Sequence, residues 1–144
     1  MARILAIDYG KARTGLAVTD PLQLIANGLT TVETPGLEAF IVEYLKKEEV
    51  ERIVIGHPVQ NSGEDSENMR RITPFVNRLR KILPDIPVEF VDERFTSVLA
   101  HRAMIDGGLK KKARQNKALV DEISATIILQ SYMESKRFGN RVKE

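Results

Sequence analysis

The sequence predicts an α/β fold, a mixed sheet with helices on its faces, and three observations predict it. Three strand-like segments open the chain with only short turns between them, as in an antiparallel meander. Two strand-then-helix alternations follow, the pattern of parallel neighbours joined by crossovers. The 144 residues, 42% hydrophobic and 29% charged, suit one globular domain over residues 1–144 that removes roughly two-thirds of its unfolded surface from water.

The first strand runs from Arg3 to Tyr9, where Ile4, Leu5, Ala6 and Ile7 form the short apolar run of a central strand covered on both faces. Gly10 and Gly15 then permit backbone geometry or close approach that a side chain would obstruct. Further strands are expected at Thr14 to Thr19 and about Leu24 to Glu33. A helix near Leu37 to Glu49 follows from Phe40, Ile41, Tyr44 and Leu45 at helical spacing, with Glu43 four residues before Lys47. Arg52 to Ile55 reads as a short buried strand ending at Gly56. Asn, Ser, Gly and Asp crowd the stretch from Gln60 to Ser66 and predict a loop. A second helix reaches about Leu83, closed by Pro84 and Pro87, and Pro74 within it marks a kink or a delayed start. Val88 to Val91 supplies a fifth strand. Helices over about Ser97 to Asp106 and Lys117 to Lys136 complete the order, with no internal repeat or low-complexity linker.

Composition excludes several classes. With no cysteine, disulfides, thiolate metal sites and a cysteine nucleophile are absent, and a reducing cytoplasm is the default location. No apolar stretch approaches the roughly 18 to 20 residues that cross a bilayer. Asp8 interrupts the first apolar run, so no signal-peptide pattern opens the chain. Neither His57 nor His101 has a sequence partner that suggests zinc, and no G-x-S-x-G elbow supports a serine nucleophile.

The net charge is only +2, but it is unevenly spread. Glu33 to Glu51 holds six acids and two bases, whereas Gly108 to Lys117, reading GLKKKARQNK, carries five bases and no acid. Such a loop is either a solvated basic segment or the electrostatic footprint of a polyanion.

The acids carry the chemistry. Asp8 stands where a buried strand turns into a glycine-marked loop, a place where an unpaired carboxylate is costly to desolvate. A salt bridge, a hydrogen-bonded turn or a bound cation would each account for it. If the first, fourth and fifth strands are parallel neighbours, Asp8, Gly56 with His57, and Asp92 with Glu93 meet at one carboxyl edge, where ligands collect in such sheets. On the last helix, Ala125, Ile128 and Leu129 lie four, seven and eight positions after Asp121, which puts this acid on the inward-facing stripe. It is there either as first-turn charge complementarity or as a second functional carboxylate.

IDYGKARTG, VIGHP, VDERFTS and DEISATIILQ occur in the order and setting of the YqgF/RuvX type of ribonuclease-H-like proteins, and the resemblance covers almost the whole chain. That family is described as Holliday-junction-resolvase-like and as nucleases maturing the small-subunit ribosomal RNA precursor. The resemblance implies a three-layer α/β/α fold with a mixed five-stranded sheet of order 3-2-1-4-5, strand 2 antiparallel. It also implies an acidic triad matching Asp8, Glu93 and Asp121, with Asp92 as alternative or accessory acid. One departure concerns His57, which stands between Gly56 and Pro58 where the family usually has an aliphatic residue. A proton shuttle and a satisfied, partly exposed imidazole are the two readings of it.

Such a triad implies a metal-dependent nuclease. Hard oxygen ligands suit Mg²⁺ or Mn²⁺, and a two-metal site orients phosphate, activates water and stabilises the leaving alkoxide. Asp8 would bridge the metals, with Glu93 and Asp121 each completing one site. Phosphate recognition is expected from the glycine loop, Arg13, Arg94 and the basic segment, with Lys110, Lys111, Lys112, Arg114 and Lys117 as its cations. Arg94 equally suits an ion pair with Asp92. Thr96 and Ser97 suit a helix cap, and Tyr9 and Phe95 are the aromatic residues beside the proposed site.

The implied substrate is structured nucleic acid, the 5′ end of pre-16S rRNA first and four-way DNA second. Ribosomal particles are the implied partner, with no membrane, and the protein is a monomer or a weak homodimer. Two rivals come from other classes. One is a non-catalytic nucleic-acid or ribosome-binding module in which the acids only order loops. The other is an actin-like kinase or ATPase, whose first phosphate loop also reads D-x-G but which needs a paired second domain.

Overall fold

The computed structural model describes residues 2–57, 69–92 and 117–143. Its strands are β1 (Arg3–Asp8), β2 (Arg13–Thr19), β3 (Ala26–Glu33), β4 (Val50–His57) and β5 (Val88–Asp92). They form one five-stranded sheet of order β3-β2-β1-β4-β5. β2 runs antiparallel to β1 and to β3, while β1, β4 and β5 are parallel neighbours. The described helices are α1 (Leu37–Lys47), α2 (Met69–Ile82) and α3 (Lys117–Lys143), with one 3-10 turn at Thr34–Gly36 before α1. The expected mixed sheet and its strand order are both present.

Strand alternation divides the core in two. Leu5, Ile7, Leu16, Val18, Ile53 and Ile55 point to one face, where Leu37 and Ile41 of α1 and Ile72, Phe75, Val76 and Leu79 of α2 cover them. Ile4, Ala6, Ala17 and Val54 point to the other, against Ala125, Ile128, Leu129 and Tyr132 of α3. The face under α3 thus carries small side chains at Ala6 and Ala17, so that the helix axis can come near the sheet. Removing Leu79, which is fully buried, would cost about 2 to 5 kcal/mol as a Leu→Ala change. Near the middle of α3, Arg52 donates to Tyr132 Oη at 2.6 Å and to Glu89 Oε1 at 3.0 Å, which pins the helix across β4 and β5.

Several boundaries differ from the sequence expectation, each for a local reason. β3 begins at Ala26 because Asp20 first caps the turn, its Oδ1 accepting the amides of Leu24 and Ile25 at 2.8 and 2.7 Å. β4 begins at Val50, where Val50 pairs with Arg3 and the Arg3 amide donates to the Glu49 carbonyl. That early start takes Glu48 into extended backbone and ends α1 at Lys47. α2 continues through Pro74, which leaves the Arg70 carbonyl without its usual helical amide donor. α3 continues past Lys136 to Lys143. The loop expected at Gln60 to Ser66 and the helix expected at Ser97 to Asp106 lie outside the described residues, as do 108–116 of the basic segment. Among the described residues no helix is long and apolar enough to cross a membrane.

Candidate active site

Asp8 follows Ile4 and Ala6 at strand spacing, so it belongs to the sheet face that α3 covers. Its partner across the β1–β2 ladder is Gly15. A Cβ placed on Gly15 would lie 2.1 Å from the carbonyl oxygen of Asp121 and 2.4 Å from its carbonyl carbon. Only a residue without a side chain lets α3 settle there, and the contact brings the fifth residue of that helix to the end of β1. Ala125, Ile128 and Leu129, all fully buried, hold the same stripe of α3 against the sheet, as the four-seven-eight spacing predicts.

The two carboxylates interact electrostatically. Burial first, and then the negative charge of Asp121, pushes the Asp8 carboxyl up to about 7 from its ordinary 3.8. Asp8 keeps partial access to solvent at the rim of the sheet, but protein atoms crowd it closely enough that desolvation dominates. Arg13, the first residue of β2, donates from Nε to Asp121 Oδ2 at 3.2 Å. Arg13, a residue expected at the substrate phosphate, has its guanidinium beside one of the two acids in the folded chain. The pair is partly exposed, with side chains 38% and 26% accessible, so it contributes at most about 1 kcal/mol.

The turn between β1 and β2 is locked by hydroxyls. Thr34 Oγ1 donates to the Gly10 carbonyl at 2.6 Å and lies 2.9 Å from Thr14 Oγ1. With the Thr34 proton committed, Thr14 donates to Thr34 and accepts the Gly10 amide at 3.4 Å. A Cβ on Gly10 would fall 2.2 Å from the Arg13 carbonyl oxygen, so the turn also requires glycine there. This lock is not foreseen from the sequence; Thr14 is fully buried, and a buried hydroxyl needs a partner.

The remaining predicted residues fall as follows. His57 closes β4 and pairs in register with Asp92, which closes β5, so both backbones stand at the same carboxyl edge as Asp8. Glu93 and Arg94 lie outside the described residues, as do Lys110, Lys111, Lys112 and Arg114, while Lys117 opens α3. Among the described residues no group of three or more acids or histidines is placed to hold a metal ion. Asp8 and Asp121 are the acids of the expected triad that the described residues bring together. Their donor set fits a hard divalent cation: two carboxylates share an edge, one is charged only at a cost, and Arg13 already stands in as a positive partner.

Comparison with known proteins agrees with this architecture. A family model described as RuvX, Holliday junction resolvase, matches residues 2–135. A protein of Phocaeicola vulgatus provisionally named pre-16S rRNA nuclease is 75% identical over 138 residues, which is 96% of this chain and 99% of that one. Its counterpart in Bacteroides fragilis, with the same provisional name, is 69% identical over 137 residues, 95% of this chain and 99% of its own. Among solved structures, Thermus thermophilus RuvC in complex with a Holliday junction substrate superposes with a TM-score of 0.55 at 19% identity, covering 92% of this chain and 96% of that one. Fowlpox virus resolvase superposes at 0.56 and 15% identity, covering 92% and 97%. At such identities these two structures share the fold.

Proposed function

Since the chain belongs to the RuvX family, whose model covers residues 2–135, we propose that it is a metal-dependent nuclease that trims the 5′ end of the pre-16S rRNA precursor. The observation that carries this reading is the closure of Asp121 onto Asp8 across Gly15, at the carboxyl edge of three parallel strands. Two acids brought together there repel when both are charged, a divalent cation would relieve that repulsion, and a substrate phosphate is the group such a cation would orient.

Asp8 and Asp121 are assigned to hold Mg²⁺ or Mn²⁺, with Glu93, the residue after Asp92, as the third ligand. When bound, the divalent cation supplies Lewis-acid activation of water and stabilisation of the leaving oxygen. The chain's own residues do the rest. In the metal-free chain the Asp8 carboxyl, raised to about 7 by burial and by Asp121, keeps a proton that a bound cation would displace. Arg13 is placed to exchange Asp121 for a phosphate once positive charge arrives at the acids, since a guanidinium binds both groups through the same fork. The Thr14–Thr34 lock keeps the glycine turn from drifting while this exchange occurs.

The cations at Lys110, Lys111, Lys112, Arg114 and Lys117, together with Arg94, supply the long-range attraction for the phosphate backbone. In this reading the protein works in the cytoplasm on ribosomal particles, as a monomer or weak homodimer. The assignment is tested by cleavage of matched precursor RNA, single-stranded RNA and four-way DNA with Mg²⁺ or Mn²⁺. Preferential cutting of the precursor is expected. Faster, symmetric cutting of the four-way DNA would make the protein a junction resolvase, and binding without cleavage of any substrate would make it a binding module.

A further inference from the structure

On the sheet face opposite Asp8, at the same strand end, lies a cavity of about 310 Å³ lined by Tyr9, Lys11, Thr34, Glu38, Phe75 and Arg78, among others. That volume stands at the lower end of small-ligand pockets, roughly 300 to 1,000 Å³. We propose that this cavity binds an unpaired nucleotide of the substrate strand, base against Tyr9 and phosphate at Lys11, next to the nucleotide whose phosphate is cut at Asp8. The proposal rests on the nuclease reading above and narrows it to substrates that are single-stranded beside the cleavage point.

Asp8 ends β1 in phase with Ile4 and Ala6, and Tyr9, the next residue, packs against the core on the opposite face. A strand crossing the sheet rim at β1 therefore meets the carboxylate on one side and the tyrosine ring on the other. The ring is held from beneath: its centroid is 5.2 Å from that of Phe75 with a 38° tilt, and Phe75 is 1% accessible. That lines the cavity with two aromatic rings fixed to the main core, the kind of side chain on which nucleobases of any identity stack.

The rim carries the charge that a nucleotide requires. Lys11 is exposed in the turn, two residues beyond Tyr9 and three beyond Asp8 in the chain, and lines the cavity. Arg78 of α2 pairs through Nε with Glu38 of α1, so their charges offset each other and the net positive charge of the lining sits at Lys11. A phosphate is thereby drawn to Lys11 and the base to the aromatic lining. Thr34 spends its hydroxyl proton on Gly10 and turns no donor toward the ligand. A base-paired nucleotide cannot enter without leaving its stack, which restricts the cavity to unpaired strand.

The test is an amide-resolved NMR titration of the full chain in chelator with adenosine 5′-monophosphate, and with inorganic phosphate in parallel. The nucleotide should shift the Tyr9, Lys11, Glu38 and Arg78 amides saturably, and phosphate alone should bind at least about tenfold more weakly for want of the stacked base. Tyr9→Leu should weaken the nucleotide about tenfold. Because Tyr9 packs on Phe75, Lys11→Gln serves as the variant that leaves the core untouched, and it should weaken binding about tenfold through the lost charged contact. Absent shifts at these amides, or equal binding of phosphate and nucleotide, overturns the proposal. Wild type that cuts RNA while its cavity ignores the nucleotide refutes the cavity alone, and a cavity that fills in a protein that cuts no substrate refutes the nuclease reading alone.

Discussion

Gly15 and Asp121 touch through their backbones: a side chain on Gly15 would begin 2.1 Å from the Asp121 carbonyl oxygen. This contact sets how near α3 comes to the sheet, and with it the distance between the two acids. Gly15→Ala should therefore push the start of α3 outward and cost roughly 1 to 3 kcal/mol, the range for overpacking a tight contact. Because Asp121 would retreat, the Asp8 carboxyl should fall below its value of about 7. Urea melts and a carboxyl-carbon NMR titration of Asp8 read the two effects. A variant of unchanged stability with Asp8 still near 7 would mean that the glycine does not govern the pair.

The raised Asp8 carboxyl also makes stability depend on pH. Its folded value, about 7, exceeds its unfolded value of 3.8, so the folded protein keeps a proton that the unfolded chain has released. The stabilisation is fully present below about pH 4 and is lost as pH rises toward 7, at about 1.4 kcal/mol per pH unit in between. In chelator, wild type should thus lose stability between about pH 5 and pH 7 relative to Asp8→Asn, which has no such proton to lose. Parallel pH profiles for the two proteins would remove the account of Asp8 given above.

Much of this site was legible in the sequence because it depends on local periodicity. Helical spacing placed Asp121 with Ala125, Ile128 and Leu129, so this acid had an assigned face before any contact was known, while the apolar run Ile4 to Ile7 placed Asp8 at a strand end without saying which face it takes. The parallel neighbours β1, β4 and β5 then brought Asp8, His57 and Asp92 to one edge as expected. Gly15 read as a point of close approach, but its partner lies more than a hundred residues away and nothing local names it. The Arg13–Asp121 pair is hidden for the same reason, being 108 residues apart in sequence. Boundaries slipped where a side chain overrode pattern: apolar Leu24 and Ile25 look like strand, yet the Asp20 carboxylate takes their amides first.

Arg13 makes a separate prediction. Its guanidinium competes with a cation for Asp121, so Arg13→Gln should bind Mn²⁺ more tightly in the absence of nucleic acid, by several-fold, as calorimetry would register. Stability should change by no more than about 1 kcal/mol, because the pair is partly exposed. Oligonucleotide binding in chelator should weaken at the same time, since the same guanidinium is assigned to phosphate. Unchanged Mn²⁺ affinity would show that the ion pair does not compete with metal.

The most direct measurement is single-turnover cleavage of precursor RNA in Mn²⁺ by wild type and by Asp8→Asn prepared side by side, with folding of both verified by melts. Loss of a ligand that organises several kcal/mol of transition-state stabilisation predicts a fall of about a hundredfold or more for Asp8→Asn, with RNA binding retained. Cleavage by Asp8→Asn at the wild-type rate would contradict the assignment of Asp8 to the catalytic centre.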